Sequence, residues 1–139
     1  MNTQHMFDAA KQASLDADYT GGSRVRMGCV IAYKGSILAK GCNSDKTHPM
    51  QEHYNKYRFK NNGPQYLPAK CHAELAAISK IKYLDIDFSE AHIYVYREFK
   101  DGKTAMARPC PACMRALRNI GIKKIHYTTN EGVAYERLL

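Results

Sequence analysis

The sequence predicts an α/β fold of three layers, a mixed five-stranded sheet with helices on both faces. Three observations carry that prediction. Strand-like segments alternate with amphipathic helical ones, which requires crossover connections and a covered sheet. Two strand-like segments are joined by only two residues, so at least one pair is antiparallel. The chain has 139 residues and is 45% apolar, enough for one core and short for two, so we expect residues 1–139 to form a single domain.

The elements follow in order. Phe7, Ala10, Ala13 and Ala17 recur at helical spacing over residues 3–18, with Thr3 placed to cap the helix. Tyr19 to Ser23, with two glycines, breaks it. Arg24–Tyr33 and Ser36–Cys42 are rich in Val, Ile, Leu and small residues, and Lys34-Gly35 between them reads as a hairpin turn. Residues 44–70 lose the pattern. Pro49, Pro64, Pro68 and Asn61-Asn62-Gly63 punctuate aromatic and charged residues, and only Gln51–Phe59 offers a short helix. So long a connection in a small domain is either functional or a surface insertion.

Cys71–Tyr83 is a second helix, apolar at Leu75, Ala76, Ile78 and Ile81. Ala91–Tyr96 is a third strand. Phe99–Ala107 is a loop, after which Pro109 can open a third helix that Gly121 stops. Ile122–Thr129 is a fourth strand. Val133–Leu138, beyond the turn Asn130-Glu131-Gly132, is either a fifth strand or a terminal helix.

Lys and Arg total 21 against 13 acids, a net charge of +8. The excess is dense between Arg97 and Lys124, where only Glu98 and Asp101 oppose it. Such a balance suits an anionic partner such as a nucleotide phosphate, RNA or DNA, or else a solvated face. No apolar run approaches the ~20 residues needed to span a bilayer. The acidic first 18 residues do not resemble a leader, so the cytoplasm is expected. Five cysteines, an odd number, do not suggest a disulfide framework.

Two stretches carry chemistry. His72-Ala73-Glu74 opens the second helix, and Pro109-Cys110-Pro111-Ala112-Cys113 opens the third. In an open α/β sheet such helix starts meet at one crevice edge. Cys110 and Cys113, three apart, share a helix face and can grip one ion. Zn²⁺ takes thiolate and imidazole ligands tetrahedrally, and His72 would be the third. Three protein ligands leave one position open, as catalytic sites do, and water at such a position has its pKa lowered toward ~7. Glu74 is then not needed as a ligand and can carry protons.

His72-x-Glu74 followed by Pro109-Cys110-x-x-Cys113 resembles the zinc-dependent cytidine/deoxycytidylate deaminase superfamily. The element order from the first helix to the fourth strand is similar to that family's core. The resemblance implies Zn²⁺ as cofactor, with His72, Cys110 and Cys113 as metal ligands and Glu74 as catalytic proton shuttle. It implies hydrolytic deamination of cytosine to uracil in a free nucleotide or nucleoside, deoxycytidylate first. Gly41-Cys42-Asn43-Ser44 is similar to the glycine-x-asparagine segment of deoxycytidylate deaminases, in which Asn43 would bond the sugar; Asn43 could equally cap a turn. The expected substrate contacts are Asn43, Ala73, Arg26 and Arg108.

Two rival readings stand beside this one. Tyr54, Tyr57 and Phe59, interleaved with Arg58 and Lys60, would suit base stacking in single-stranded DNA or RNA. A non-catalytic nucleic-acid-binding module with a structural zinc has no use for Glu74. His48, His53 and Cys42 could form a second metal site. A homo-oligomer is compatible with the sequence, and no membrane partner is expected.

Overall fold

The computed structural model describes residues 3–17, 26–44, 48–59 and 71–138. The elements run α1 (Thr3–Ser14), β1 (Arg26–Tyr33), β2 (Ser36–Cys42), α2 (Pro49–Tyr54), a 3₁₀ turn (Asn55–Phe59), α3 (Ala73–Ile81), β3 (Ala91–Glu98), α4 (Pro111–Ile120), β4 (Lys124–Thr129) and β5 (Gly132–Arg137). The sheet is mixed and five-stranded, in the order β2-β1-β3-β4-β5. Among the described residues β3 and β4 pair in parallel and the other three pairs are antiparallel. Helices lie on both faces, as the alternating sequence pattern predicts.

The pairing explains where the helices start. β2 and β3 are each antiparallel to β1, and β3 is parallel to β4. Strands β2, β3 and β4 therefore point the same way. The segments leaving β2 and β3 exit at one edge of the sheet and return through α3 and α4. Both helices bury their apolar sides on one face, in a core built around Ile31, Leu75, Ile78, Ile93, Leu117 and Ile125. The opposite face holds a smaller core, where Met6, Phe7 and Ala10 of α1 meet Val30, Ala32 and Tyr94.

Several expected boundaries move, each for a local reason. The first helix stops at Ser14 and not at residue 18, because Leu15, Asp16 and Ala17 donate to carbonyls three residues back and tighten the turn. The third predicted helix opens at Pro111 and not Pro109. A residue preceding proline is pushed into extended geometry, and Cys110, at φ −67° and ψ 167°, becomes the N-cap. Gly121 ends that helix as expected. The Lys34-Gly35 turn has φ of 50° and 82°, the pattern of a tight hairpin. Residues 133–137 are a strand rather than a helix, paired with β4. Within the long connection, residues 49–59 are helical; residues 60–70 and Arg24 lie outside the described residues.

Two glycines set how closely the layers approach. Gly28 and Gly41 lie on adjacent strands, and each is overlaid by a helix. A methyl group on Gly28 would run into the α1 backbone at Ala10 and Ser14. On Gly41 it would meet the Ala73 carbonyl and come within 2.8 Å of the Ala77 nitrogen. The obstruction is backbone in both cases, so it cannot rotate away. Among the described residues, no helix is long and apolar enough to cross a membrane.

Gly41→Ala should destabilise the fold by about 1–3 kcal/mol through overpacking. It should also weaken metal binding, because the helix it displaces begins next to His72. Gly28→Ala should destabilise comparably with little effect on metal. Urea unfolding and zinc titration of both variants check this; equal zinc affinities would refute the link.

Candidate metal centre

His72 and Cys110 occupy equivalent places, each the extended N-cap of a helix and each without a side-chain capping bond. An N-cap residue normally turns its side chain back to bond the helix amides. Here both side chains point instead toward each other. His72 Nδ1 lies 3.6 Å from Cys110 Sγ and 3.4 Å from Cys113 Sγ. The three donor atoms all fall within 4.8 Å of one another.

The donor set fits zinc in identity and spacing. With Zn–S of about 2.3 Å and Zn–N of about 2.0–2.1 Å, a tetrahedral ion sets nitrogen and sulfur about 3.6 Å apart. The distances of 3.4 and 3.6 Å match without rearrangement. All five cysteines are free, so neither sulfur is engaged in a disulfide. Among the described residues this is the one cluster of three or more such ligands. His48, suggested for a second site, uses its Nδ1 to accept the Met50 N–H and caps α2.

The electrostatics suit metal binding. A hydrogen bond from Cys113 draws the Cys110 thiol down to about 4, against the burial that opposes it; His72 helps. The same hydrogen bond, with burial, pushes Cys113 well up. The Cys110 sulfur is thus the readier of the two to bind a cation as thiolate. Both helix N-termini place the positive ends of their dipoles here, which favours thiolate.

Glu74, two residues into α3, is 1% exposed. Burial raises its carboxyl pKa, partly offset by the nearby His72. Among the described residues its Oε1 has no hydrogen-bond partner. An unpartnered carboxylate oxygen in the interior is costly, roughly 1–3 kcal/mol or more for a charged group, so the arrangement is better explained by function than by stability.

Among the other expected residues, Ala73 is the first of α3, Arg108 precedes Cys110 by two, Asn43 follows β2 and Arg26 begins β1. Asn43 Oδ1 accepts the Met27 N–H at 3.0 Å, and its own N–H donates to the Met27 carbonyl, tying the end of β2 to β1. Ser44 N–H bonds the Cys71 carbonyl, which brings that strand end against the start of α3. Ala73 is buried, and its carbonyl accepts from Cys29 Sγ. Arg26 is exposed at the start of β1. Arg108 bonds Glu136 through two nitrogens, at 2.6 and 3.2 Å, and Tyr127 donates to the same carboxylate.

The family model for the cytidine and deoxycytidylate deaminase zinc-binding region matches residues 1–129. The chain belongs to this family. It is a member of a zinc-binding deaminase family, and His72, Cys110 and Cys113 are placed where they could hold a metal ion. No curated protein sequence matches it. Solved structures do. The apo dCMP deaminase of cyanophage S-TIM5 is 21% identical, with 91% of this chain and 82% of that one covered and a TM-score of 0.60. The cytidine deaminase of Burkholderia pseudomallei is 18% identical over 99% of this chain and 93% of that one, at a TM-score of 0.65. That of Mycobacterium tuberculosis is 16% identical over 99% and 90%, at 0.57. These likenesses are of fold.

Sequence reasoning missed two features around this cluster. Gln51, fully buried, accepts the His72 N–H through its side-chain carbonyl at 3.1 Å. The Arg108–Glu136–Tyr127 cluster joins the approach to α4 with the last strand. Neither has a spacing signature, since each joins residues 20 or more positions apart or depends on a strand pairing.

Purified protein should carry a stoichiometric zinc. Cys110→Ala or Cys113→Ala should lose it, and Arg108→Ala should retain it, because an exposed ion pair contributes only about 0–1 kcal/mol. Elemental analysis of the three variants checks the ligand set.

Proposed function

We propose that the chain is a hydrolase that deaminates cytosine to uracil in a free nucleotide or nucleoside, with deoxycytidylate the first choice. The observation that carries this reading is the buried Glu74 carboxyl, one oxygen unpartnered, beside an imidazole and two thiols of zinc-like spacing. Zinc bound there supplies Lewis-acid activation of water. The overall change is cytosine plus water to uracil plus ammonia.

In that reaction Glu74 moves the protons. Its carboxylate takes one proton from the attacking water and delivers it to the ring nitrogen beside the reacting carbon; it then takes the second from the hydroxyl added to that carbon and gives it to the amine, which leaves as ammonia as the carbonyl forms. Burial suits the task, because a carboxyl whose pKa is raised exchanges protons nearer neutrality than an ordinary glutamate does. The interior around it also excludes bulk solvent.

We assign Asn43 to the sugar and the buried Ala73 backbone to the base, since both lie on segments adjoining His72. Arg26 is the basic group assigned to a 5′-phosphate. Arg108 is the weaker claimant, because Glu136 already takes two of its donors. A nucleotide substrate is supported by the cyanophage S-TIM5 dCMP deaminase, whose structure in complex with dCMP and dUMP has a similar fold at a TM-score of 0.56. The net charge of +8 is what favours the second reading, cytosine within single-stranded DNA or RNA. We treat residues 1–139 as one domain. Five free thiols suit a reducing compartment, and we assign the protein to the cytoplasm.

Glu74→Ala should lower kcat by about 10²–10⁴-fold while zinc content stays at the parent level. Loss of zinc on that change would make Glu74 a structural residue and support the non-catalytic module. Ammonia release from deoxycytidylate, deoxycytidine and a cytosine-containing oligonucleotide, assayed side by side, decides substrate class. Activity confined to the oligonucleotide would overturn the nucleotide assignment.

A further inference from the structure

The segment between β2 and α3 contributes a buried polar pair that the proposed chemistry does not use. Gln51 of α2 is 0% exposed and Asn55, which follows α2, is 6% exposed. Gln51 Nε2 donates to Asn55 Oδ1 at 2.8 Å, and Gln51 Oε1 accepts the His72 backbone N–H at 3.1 Å. The orientation of the amide is fixed by its partners. A backbone N–H can only donate, so the side-chain oxygen must face His72 and the nitrogen must face Asn55.

The reason for such a pair lies in the start of α3. A helix beginning at an N-cap commonly has that residue's N–H satisfied by Glu or Gln three positions on, the reciprocal half of a capping box. Position three after His72 is Leu75, buried in the core, which cannot do this. His72 itself makes no side-chain cap bond, because its ring faces the two sulfurs. The start of α3 thus lacks both halves of the device. Gln51 supplies one of them from another element, 21 residues away in the chain.

We propose that Gln51, held by Asn55, is a positioning residue of the metal centre: its side-chain carbonyl fixes the His72 main chain so that Nδ1 stays over the paired sulfurs. This rests on the zinc reading of the site. Without that hydrogen bond the part-buried His72 N–H loses this acceptor, and α2 no longer fixes the N-cap main chain. The metal would then have to order the ligand as it binds, at the expense of affinity. The coupling is reciprocal, so metal binding should in turn order the helical segment 49–59.

The test measures metal affinity apart from activity. Zinc affinity of the full-length protein is measured by competition with a chromophoric chelator, and Co²⁺ loading reports ligand geometry through its visible bands. The variants are Gln51→Leu, which removes the acceptor, Gln51→Glu, which keeps it, and Asn55→Ala, which frees the amide. Val30→Ala, in the core on the other face of the sheet, serves as a control for general destabilisation. Outer-shell partners of metal ligands typically contribute 10–100-fold to affinity. Gln51→Leu should therefore bind zinc about 10–100-fold more weakly with altered cobalt bands. Asn55→Ala should move the same way by less, and Gln51→Glu should recover part of the loss.

Val30→Ala should lower the urea midpoint with zinc affinity unchanged. If Gln51→Leu and Asn55→Ala merely shift the urea midpoint as Val30→Ala does, with zinc affinity within twofold of the parent, the proposal is overturned. If Gln51→Leu does not fold, Asn55→Ala and Gln51→Glu decide between the same outcomes. Failure of the zinc reading itself looks different: the parent protein would then show no tight zinc, and Cys113→Ala would match it.

Discussion

Everything in this protein that concerns chemistry depends on three donor atoms being kept within 4.8 Å of one another by two separate helix starts. The imidazole comes from one helix and both sulfurs from another, and no covalent link joins them. What holds the distance is the sheet. Because β2, β3 and β4 run the same way, α3 and α4 begin at one edge. Their apolar sides then dock on a common face. A fully buried Leu or Ile contributes roughly 1.5–3 kcal/mol, against about 1 kcal/mol for a helix cap. Burial of Leu75, Ile78, Ile81 and Leu117 therefore outweighs the missing caps, and the helices can present ligands at their ends.

The tolerance of that arrangement is small. Nitrogen–sulfur distances of 3.4 and 3.6 Å already match a tetrahedral ion, so a shift of α3 by a methyl's width would break the match. Gly41 lies where such a shift would originate, under the Ala73 carbonyl. Gln51 acts on the same short stretch from the other side, through the His72 N–H. Sheet and connecting segment thus bear together on the residue that carries the imidazole.

Much of this was legible in the sequence, and the division follows physical range. Strand and helix periodicity are local, so the Lys34-Gly35 hairpin, the core of Cys71–Tyr83 and the stop at Gly121 could be read directly. The cluster of His72, Cys110 and Cys113 was legible because thiols and imidazoles are few and their order is distinctive. Boundaries set by backbone restriction were misplaced, as at Pro111, where proline governs its predecessor rather than itself. Gln51 was invisible for a different reason. A glutamine in a charged, aromatic stretch looks solvated, and the packing of α2 against α3, α4 and the following 3₁₀ turn buries it. The same holds for Arg108, whose engagement with Glu136 needs β5 to be a strand, one of two readings that the sequence left open.

His72 and Cys110 stand where Ser, Asp or Asn would best serve a helix. Anyone seeking a hardier version by improving local helix preferences would be drawn to those two positions, and each improvement would strip away a ligand. Two attractive targets for thermal engineering are thus donors of the metal cluster, and a gain in melting temperature there would measure how much steadiness the cluster costs its helices.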